Sequence, residues 1–167
     1  MYKENDYLVY GKDICQVEKI EKQKFNNEDY YILRPIRNKS LKISAPISDK
    51  AGKIRSLITK EEIEYLISKI PSLPIIEADD KLMESEYKKL LNTKKHEDLI
   101  RIIKTTYLRN KKRLDNNKKI AEKDKTYFEL AEEYLYNEFS IVLNKTYEKT
   151  KEYIINEVTK KSNKNTD

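Results

Sequence analysis

Hydrophobic and polar residues alternate with two different periods along this chain, and the change falls near Gly52. Before it the apolar runs are short. Tyr7 to Tyr10 (YLVY) leads into Gly11-Lys12-Asp13, a turn in which glycine supplies a positive φ. Ile14 to Glu21 (ICQVEKIE) is a β-rich but polar run. A hairpin turn is expected over Lys24 to Asn27, because Asn26 and Asn27 tolerate left-handed geometry. Tyr30 to Leu33 (YYIL) follows, then a turn near Arg37-Asn38-Lys39. Leu41, Ile43 and Ala45 alternate with Lys42 and Ser44, which predicts a half-buried strand ending at Pro46. Four or five strands at this spacing predict a small antiparallel barrel or curled sheet.

Beyond Gly52 the period becomes helical. Thr59-Lys60-Glu61-Glu62 reads as a capping box, with Ile63, Leu66, Ile67 and Ile70 on one face of the helix it opens. Pro71 and Pro74 end that helix. Asp79 or Asp80 is positioned to cap a second, with Met83, Tyr87, Leu90 and Leu91 inward. A third begins near Lys95 and carries Leu99, Ile103 and Thr106-Tyr107; Asp115-Asn116-Asn117 breaks it. Phe128, Ala131, Leu135, Phe139 and Val142 form the stripe of a long fourth helix. Tyr147, Ile154 and Val158 extend it or begin another. The expected architecture is therefore α+β in two domains. Residues 1–55 form the β domain, residues 56–159 an all-α bundle, and residues 160–167 a flexible tail without apolar side chains.

Composition narrows the chemistry. The 167 residues contain 2 Gly, 1 Cys and 1 His, so phosphate-cradling glycine loops, Cys/His zinc sites and disulfide frameworks are excluded. No apolar run approaches about 18 residues and no signal peptide opens the chain, which reads as a soluble cytoplasmic protein. The net charge of +6 is unevenly spread. Residues 95–125 hold 11 basic and 5 acidic side chains, an excess equal to that of the whole chain, whereas residues 56–94 hold 6 and 8. The basic stretch is either an electrostatic footprint for phosphates or a solvated helix face.

Nothing in the pattern reads as a catalytic constellation. Glu61-Glu62 and Glu132-Glu133 look like solvated helix positions, and Glu138, close to the apolar stripe, is expected to satisfy a helix terminus or a lysine. His96 reads as a surface residue and Cys15 as a small apolar strand residue. The chain is read as a non-enzyme without cofactor or metal.

The order of these pieces resembles the CarD/CdnL family of bacterial transcription regulators, which join a Tudor-like β domain to a helical domain. Asn5-Asp6-Tyr7-Leu8-Val9-Tyr10 is similar to the family's Gly-Asp-x-Val-Val-Tyr opening, with Asn in place of Gly. Glu28-Asp29-Tyr30-Tyr31-Ile32-Leu33 resembles its Tyr-rich middle strand, and Leu41-Lys42-Ile43-Ser44-Ala45-Pro46 its Leu-x-Ile-x-Val-Pro strand. Gly52-Lys53-Ile54-Arg55 followed by Thr59 resembles the inter-domain junction. Glu122-Lys123-Asp124-Lys125 with Phe128, Ala131, Leu135 and Glu138 resembles the last major helix. The similarity spans roughly residues 3–145.

The resemblance implies a monomeric accessory factor that binds the β subunit of RNA polymerase and approaches promoter DNA, with no membrane involvement. The polymerase-binding residues it implies are Gln23, Lys24, Lys42, Ile43 and Ser44. Lys81 and Lys125 match DNA-facing basic positions of relatives, and Arg109, Arg113, Lys118 and Lys119 of the basic stretch flank them. Two departures stand out. The turn after Tyr10 is shortened to Gly11-Lys12-Asp13, and the tryptophan that relatives wedge into the minor groove is missing, because the chain has no Trp. By register its place falls near Asp79, which cannot unstack a base step and repels phosphate. A polymerase-bound adaptor with little or no DNA contact is the competing expectation.

Overall fold

The computed structural model describes residues 1–164. The chain is α+β and divides into two compact units, Met1–Leu57 and Ile58–Asp167.

The first unit is a five-stranded antiparallel sheet of β1 (Tyr7–Tyr10), β2 (Asp13–Phe25), β3 (Glu28–Pro35), β4 (Ile43–Pro46) and β5 (Ile54–Arg55). Its strand order is β4-β3-β2-β1-β5. The sheet stays open, with β4 and β5 as its edges, so of the two expectations the closed barrel is not formed. The three expected turns are present, the third closed by the Leu41 N–H donating to Asn38 O at 3.1 Å. Gly11 has φ +66°, and Asn26 and Asn27 have φ +51° and +58°, the double left-handed geometry of a tight hairpin. The polar run of β2 continues to Phe25, which pairs with Glu28 across that hairpin. Two register shifts interrupt the β2–β3 ladder, between Val17 and Lys19 and between Glu21 and Phe25. Leu8, Cys15, Val17, Tyr31, Leu33 and Ala45 make the core of this unit. Leu41 was expected inward, but the strand begins two residues later and Leu41 is exposed, because the Asn38 turn carries the chain outward first.

The second unit holds α1 (Lys60–Lys69), α2 (Met83–Asn92), α3 (His96–Asp115), α4 (Glu122–Leu143) and α5 (Tyr147–Lys164), with 3₁₀ turns at Ile70–Ser72 and Asp80–Leu82. The capping box is complete: Glu62 N–H donates to Thr59 Oγ1 at 3.1 Å and Thr59 N–H donates to the Glu62 carboxylate at 2.8 Å. Ile63, Leu66 and Ile67 are buried as their spacing predicts. Neither Asp79 nor Asp80 caps α2; the 3₁₀ turn intervenes and leads directly into Met83. On α3 the inward residues are Leu99, Ile100, Ile102, Thr105 and Thr106, while Tyr107 faces solvent. Asn144, with φ +51°, ends α4 in a left-handed cap, so Tyr147 and Ile154 belong to a separate helix. That helix runs through Lys160 to Lys164, where a flexible tail was expected; 165–167 lie outside the described residues. No helix among the described residues is long and apolar enough to cross a membrane.

Candidate functional site

The expected polymerase-facing strand is an edge strand. Among the described residues β4 pairs only with β3, through Leu33 and Ile43, Ile32 and Ser44, Tyr31 and Ala45, and Tyr30 and Pro46. Alternation sends Ala45 into the core and leaves Ser44 exposed, with Ile43 half-buried. Lys42 precedes the strand and is exposed, but it is ion-paired. The bulge at Glu18 on β2 turns that carboxylate toward Arg34 at 2.6 Å and Lys42 at 3.4 Å. The hydrogen bond from Arg34 is the main reason the Glu18 carboxyl sits below its usual range. Arg34 Nη1 also donates to the Lys39 carbonyl, tying the loop before β4 to β3. Gln23 and Lys24 lie on β2 at the hairpin end, whereas Lys42 lies near Leu33 at the other end of β3. Gln23 adopts φ +47°, and its N–H donates to the Asp29 carboxylate at 3.0 Å. The five residues therefore do not form one patch; Lys42, Ile43 and Ser44 do.

In the helical unit the structure separates the basic candidates into two kinds. Arg109 is not available to a phosphate. Its Nε donates to both oxygens of Asp124, at 3.2 and 3.1 Å, and its Nη2 contacts Asp80 at 2.5 Å. Asp124 is fully buried and also accepts from the Tyr87 hydroxyl at 2.7 Å. Lys123 Nζ closes the network on Asp80 at 3.1 Å. Hydrogen bonds from Arg109 and Lys123 hold the Asp80 carboxyl below its ordinary range. Burial, followed by the hydrogen bond to Asp124, pushes up the Tyr87 phenol. Asp80 thus fastens the approach to α2 onto α3 and α4. Sequence spacing gives no sign of this network, since Asp80, Tyr87, Arg109 and Asp124 lie on separate elements.

The other candidates face solvent. Lys81 is exposed beside Asp80 in the 3₁₀ turn, and Lys125 is exposed in the first turn of α4. At the end of α3, Asn117 takes φ +57°, Asn117 N–H donates to Leu114 O at 3.0 Å, and Lys118 N–H to Arg113 O at 2.8 Å. This Schellman turn folds Lys118 back toward Arg113. A shallow polar pocket of about 220 Å³ results, lined by Asp80, Arg109, Lys112, Arg113, Asn116 and Lys118. Lys119 is exposed in the following loop and does not line the pocket.

Two expectations about single side chains change. Glu132 is buried rather than solvated, with Lys151 at 3.2 Å; desolvation nevertheless raises its carboxyl above the usual range. His96 is not a free surface residue: its Nε2 lies 2.8 Å from Oε1 of the buried Glu138. The other Glu138 oxygen accepts from Ile58 N–H at 2.8 Å, just ahead of the Thr59 cap, so the expectation that Glu138 serves a helix start holds. Cys15 is fully buried in the sheet core, and burial pushes its thiol up to about 12. No group of three or more His, Cys, Asp or Glu among the described residues is arranged to hold a metal ion. What the arrangement offers is recognition: an open strand edge on one unit and exposed cations on the other. No protein-family model and no curated protein matches this chain.

Proposed function

We propose that this protein is a transcription regulator of the CarD/CdnL type, whose β unit is Tudor-like and docks on the β subunit of RNA polymerase while its helical unit lies near promoter DNA. The observation that carries the proposal is the position of β4 at the open edge of the sheet, in the strand that resembles the family's Leu-x-Ile-x-Val-Pro segment. An edge strand can extend a partner's sheet, main-chain hydrogen bonds giving affinity and alternate side chains specificity. Lys42, Ile43 and Ser44 are the contact residues. On the DNA side Lys81, Arg113, Lys118, Lys119 and Lys125 touch phosphates, and Arg109 is withdrawn from that set because Asp124 and Asp80 hold it. Tethering by polymerase lets weak backbone contacts count, since it holds the cations at an effective concentration of about millimolar near the promoter.

One observation favours the adaptor reading. Arg113 and Lys118 sit at the carbonyl end of α3, whose roughly half negative charge offsets their field. Acidic Asp79 and Asp80 occupy the region where relatives place their wedge.

Two measurements with the cognate polymerase decide. Pull-down of the polymerase is expected with the wild type and is expected to weaken with Lys42→Glu/Ser44→Glu; no capture, or unchanged capture by the variant, overturns the docking surface. Open-complex lifetime on a promoter is expected to lengthen with the wild type and to shorten again with Lys118→Glu/Lys119→Glu and with Lys125→Glu. Variants that match the wild type would leave the adaptor reading standing in place of DNA contact.

A further inference from the structure

The helical unit contains an apolar cavity that its own packing does not fill. It measures about 430 Å³ and lies among α1, α3, α4 and α5, with Ile70, Ile100, Ile103, Leu135 and Ile154 on its wall. That volume is within the range of small-molecule sites, about 300–1,000 Å³, and well beyond the voids of a close-packed interior. Its rim includes Tyr107 and Ile155, both exposed by more than half, so apolar surface continues from the cavity to solvent.

Three charged side chains line it: Lys104, Lys151 and Glu132, a net charge of +1. They are not equivalent. Lys104 Nζ donates to the carbonyls of Ile70, Pro71 and Leu73 at 3.0, 3.2 and 2.8 Å, which uses its three donors on the 3₁₀ turn after α1. Lys151 Nζ has the two oxygens of Glu132 at 3.3 and 3.2 Å, and the Phe128 ring 5.8 Å away. A third N–H of its ammonium therefore remains for an acceptor.

We propose that this cavity binds a single-chain aliphatic carboxylate, its chain among the isoleucines and leucines and its head on Lys151. The lining is mainly aliphatic, with Phe128, Tyr136 and Phe139 beside the isoleucines and leucines, and it suits a flexible chain. At native packing density the volume holds a single aliphatic chain of about twelve carbons with room to spare and excludes a two-chain lipid. The remaining N–H of Lys151 calls for an acceptor head, and the Lys104 charge, which no carboxylate in the lining balances, favours an anionic head over a cationic one. This site is independent of the β4 edge and of the basic residues near α3's end.

Titration of the full chain with dodecanoate, below its micellar concentration and followed by calorimetry and native mass spectrometry, tests this. One dodecanoate per chain is expected, with dodecanol at least tenfold weaker and dodecyltrimethylammonium unbound. Ile103→Trp, which fills the cavity, and Lys151→Gln, which removes the head partner, are each expected to weaken dodecanoate at least tenfold. Ile155→Trp at the exposed rim obstructs entry without burdening the core, and it is expected to weaken dodecanoate at least tenfold even if Ile103→Trp fails to fold. Absence of saturable binding, equal affinity for the anion and the cation, or full affinity in both Lys151→Gln and Ile155→Trp overturns the proposal. So does tighter binding to anionic phospholipid vesicles than to the free acid.

Discussion

Glu138 shows how much a single buried carboxylate can organise. It sits on the apolar face of α4, 2% exposed, and its two oxygens serve two different elements, the His96 ring at the start of α3 and the Ile58 N–H ahead of α1. Glu138→Ala would strand the buried Ile58 donor and leave His96 without its acceptor. The expected loss is about 2–4 kcal/mol in urea denaturation, with Glu138→Gln milder because it keeps an acceptor. Cys15 carries a pH-dependent expectation. Its thiol is raised to about 12 in the fold and titrates near 8.5 when unfolded, so the unfolded chain loses the proton first. The stability this group contributes is therefore present below about pH 8.5 and lost as pH climbs toward 12. Alkylation of the native protein at about pH 8.5 is expected to be far slower than in denaturant; equal rates would show that the thiol is not buried.

Elements of the helical unit are joined by polar side chains as well as by its apolar core. Arg109 on α3 reaches Asp124 on α4 and Asp80 in the turn before α2, while Tyr87 of α2 meets Asp124 from another side. Removing the guanidinium leaves the fully buried Asp124 carboxylate facing the Tyr87 phenol without a cation to balance its charge. Arg109→Ala is expected to destabilise by roughly 3–5 kcal/mol, the cost of breaking rather than replacing a buried pair. Lys at this position keeps the charge but not the forked geometry, so Arg109→Lys is expected to fall between the wild type and Arg109→Ala in thermal denaturation. The capping box and the two Asn-terminated helices act more locally. Thr59, Asn117 and Asn144 mark helix ends with a side-chain acceptor or a left-handed φ, which is why those ends are visible in the sequence.

At the scale of the whole molecule, charge counts differ from charge available. Residues 95–125 carry 11 basic side chains. Arg101 is paired with Asp98, Lys104 is held by the carbonyls of the turn after α1, and Arg109 and Lys123 hold Asp80. Lys118 and Lys119, exposed and without an ion pair among the described residues, are the better probes of DNA contact. Under the proposed function, binding of promoter DNA by the polymerase-bound protein follows a linear log–log salt plot. Lys118→Glu/Lys119→Glu is expected to lower its slope by about two, near 0.9 for each phosphate that no longer has a lysine beside it, whereas an unchanged slope assigns those lysines to solvent.

Local chemistry determined a good deal. The Asn26-Asn27 turn, the Gly11 turn, the Thr59 cap and the i, i+3, i+4 stripe of α1 follow from short-range sterics and hydrogen bonding, so their residues announce them. The α+β class follows from the change of hydrophobic period near Gly52. What only the tertiary structure decided depends on residues distant in sequence. The sheet stays open with β4 at its edge, Arg109 is consumed by Asp124 and Asp80, Glu132 is paired with Lys151 and His96 with Glu138, and an unfilled cavity lies among four helices. No local pattern encodes these. An ion pair or a void is set by which elements meet, and a lysine or glutamate reads the same in the sequence whether it meets water or a partner.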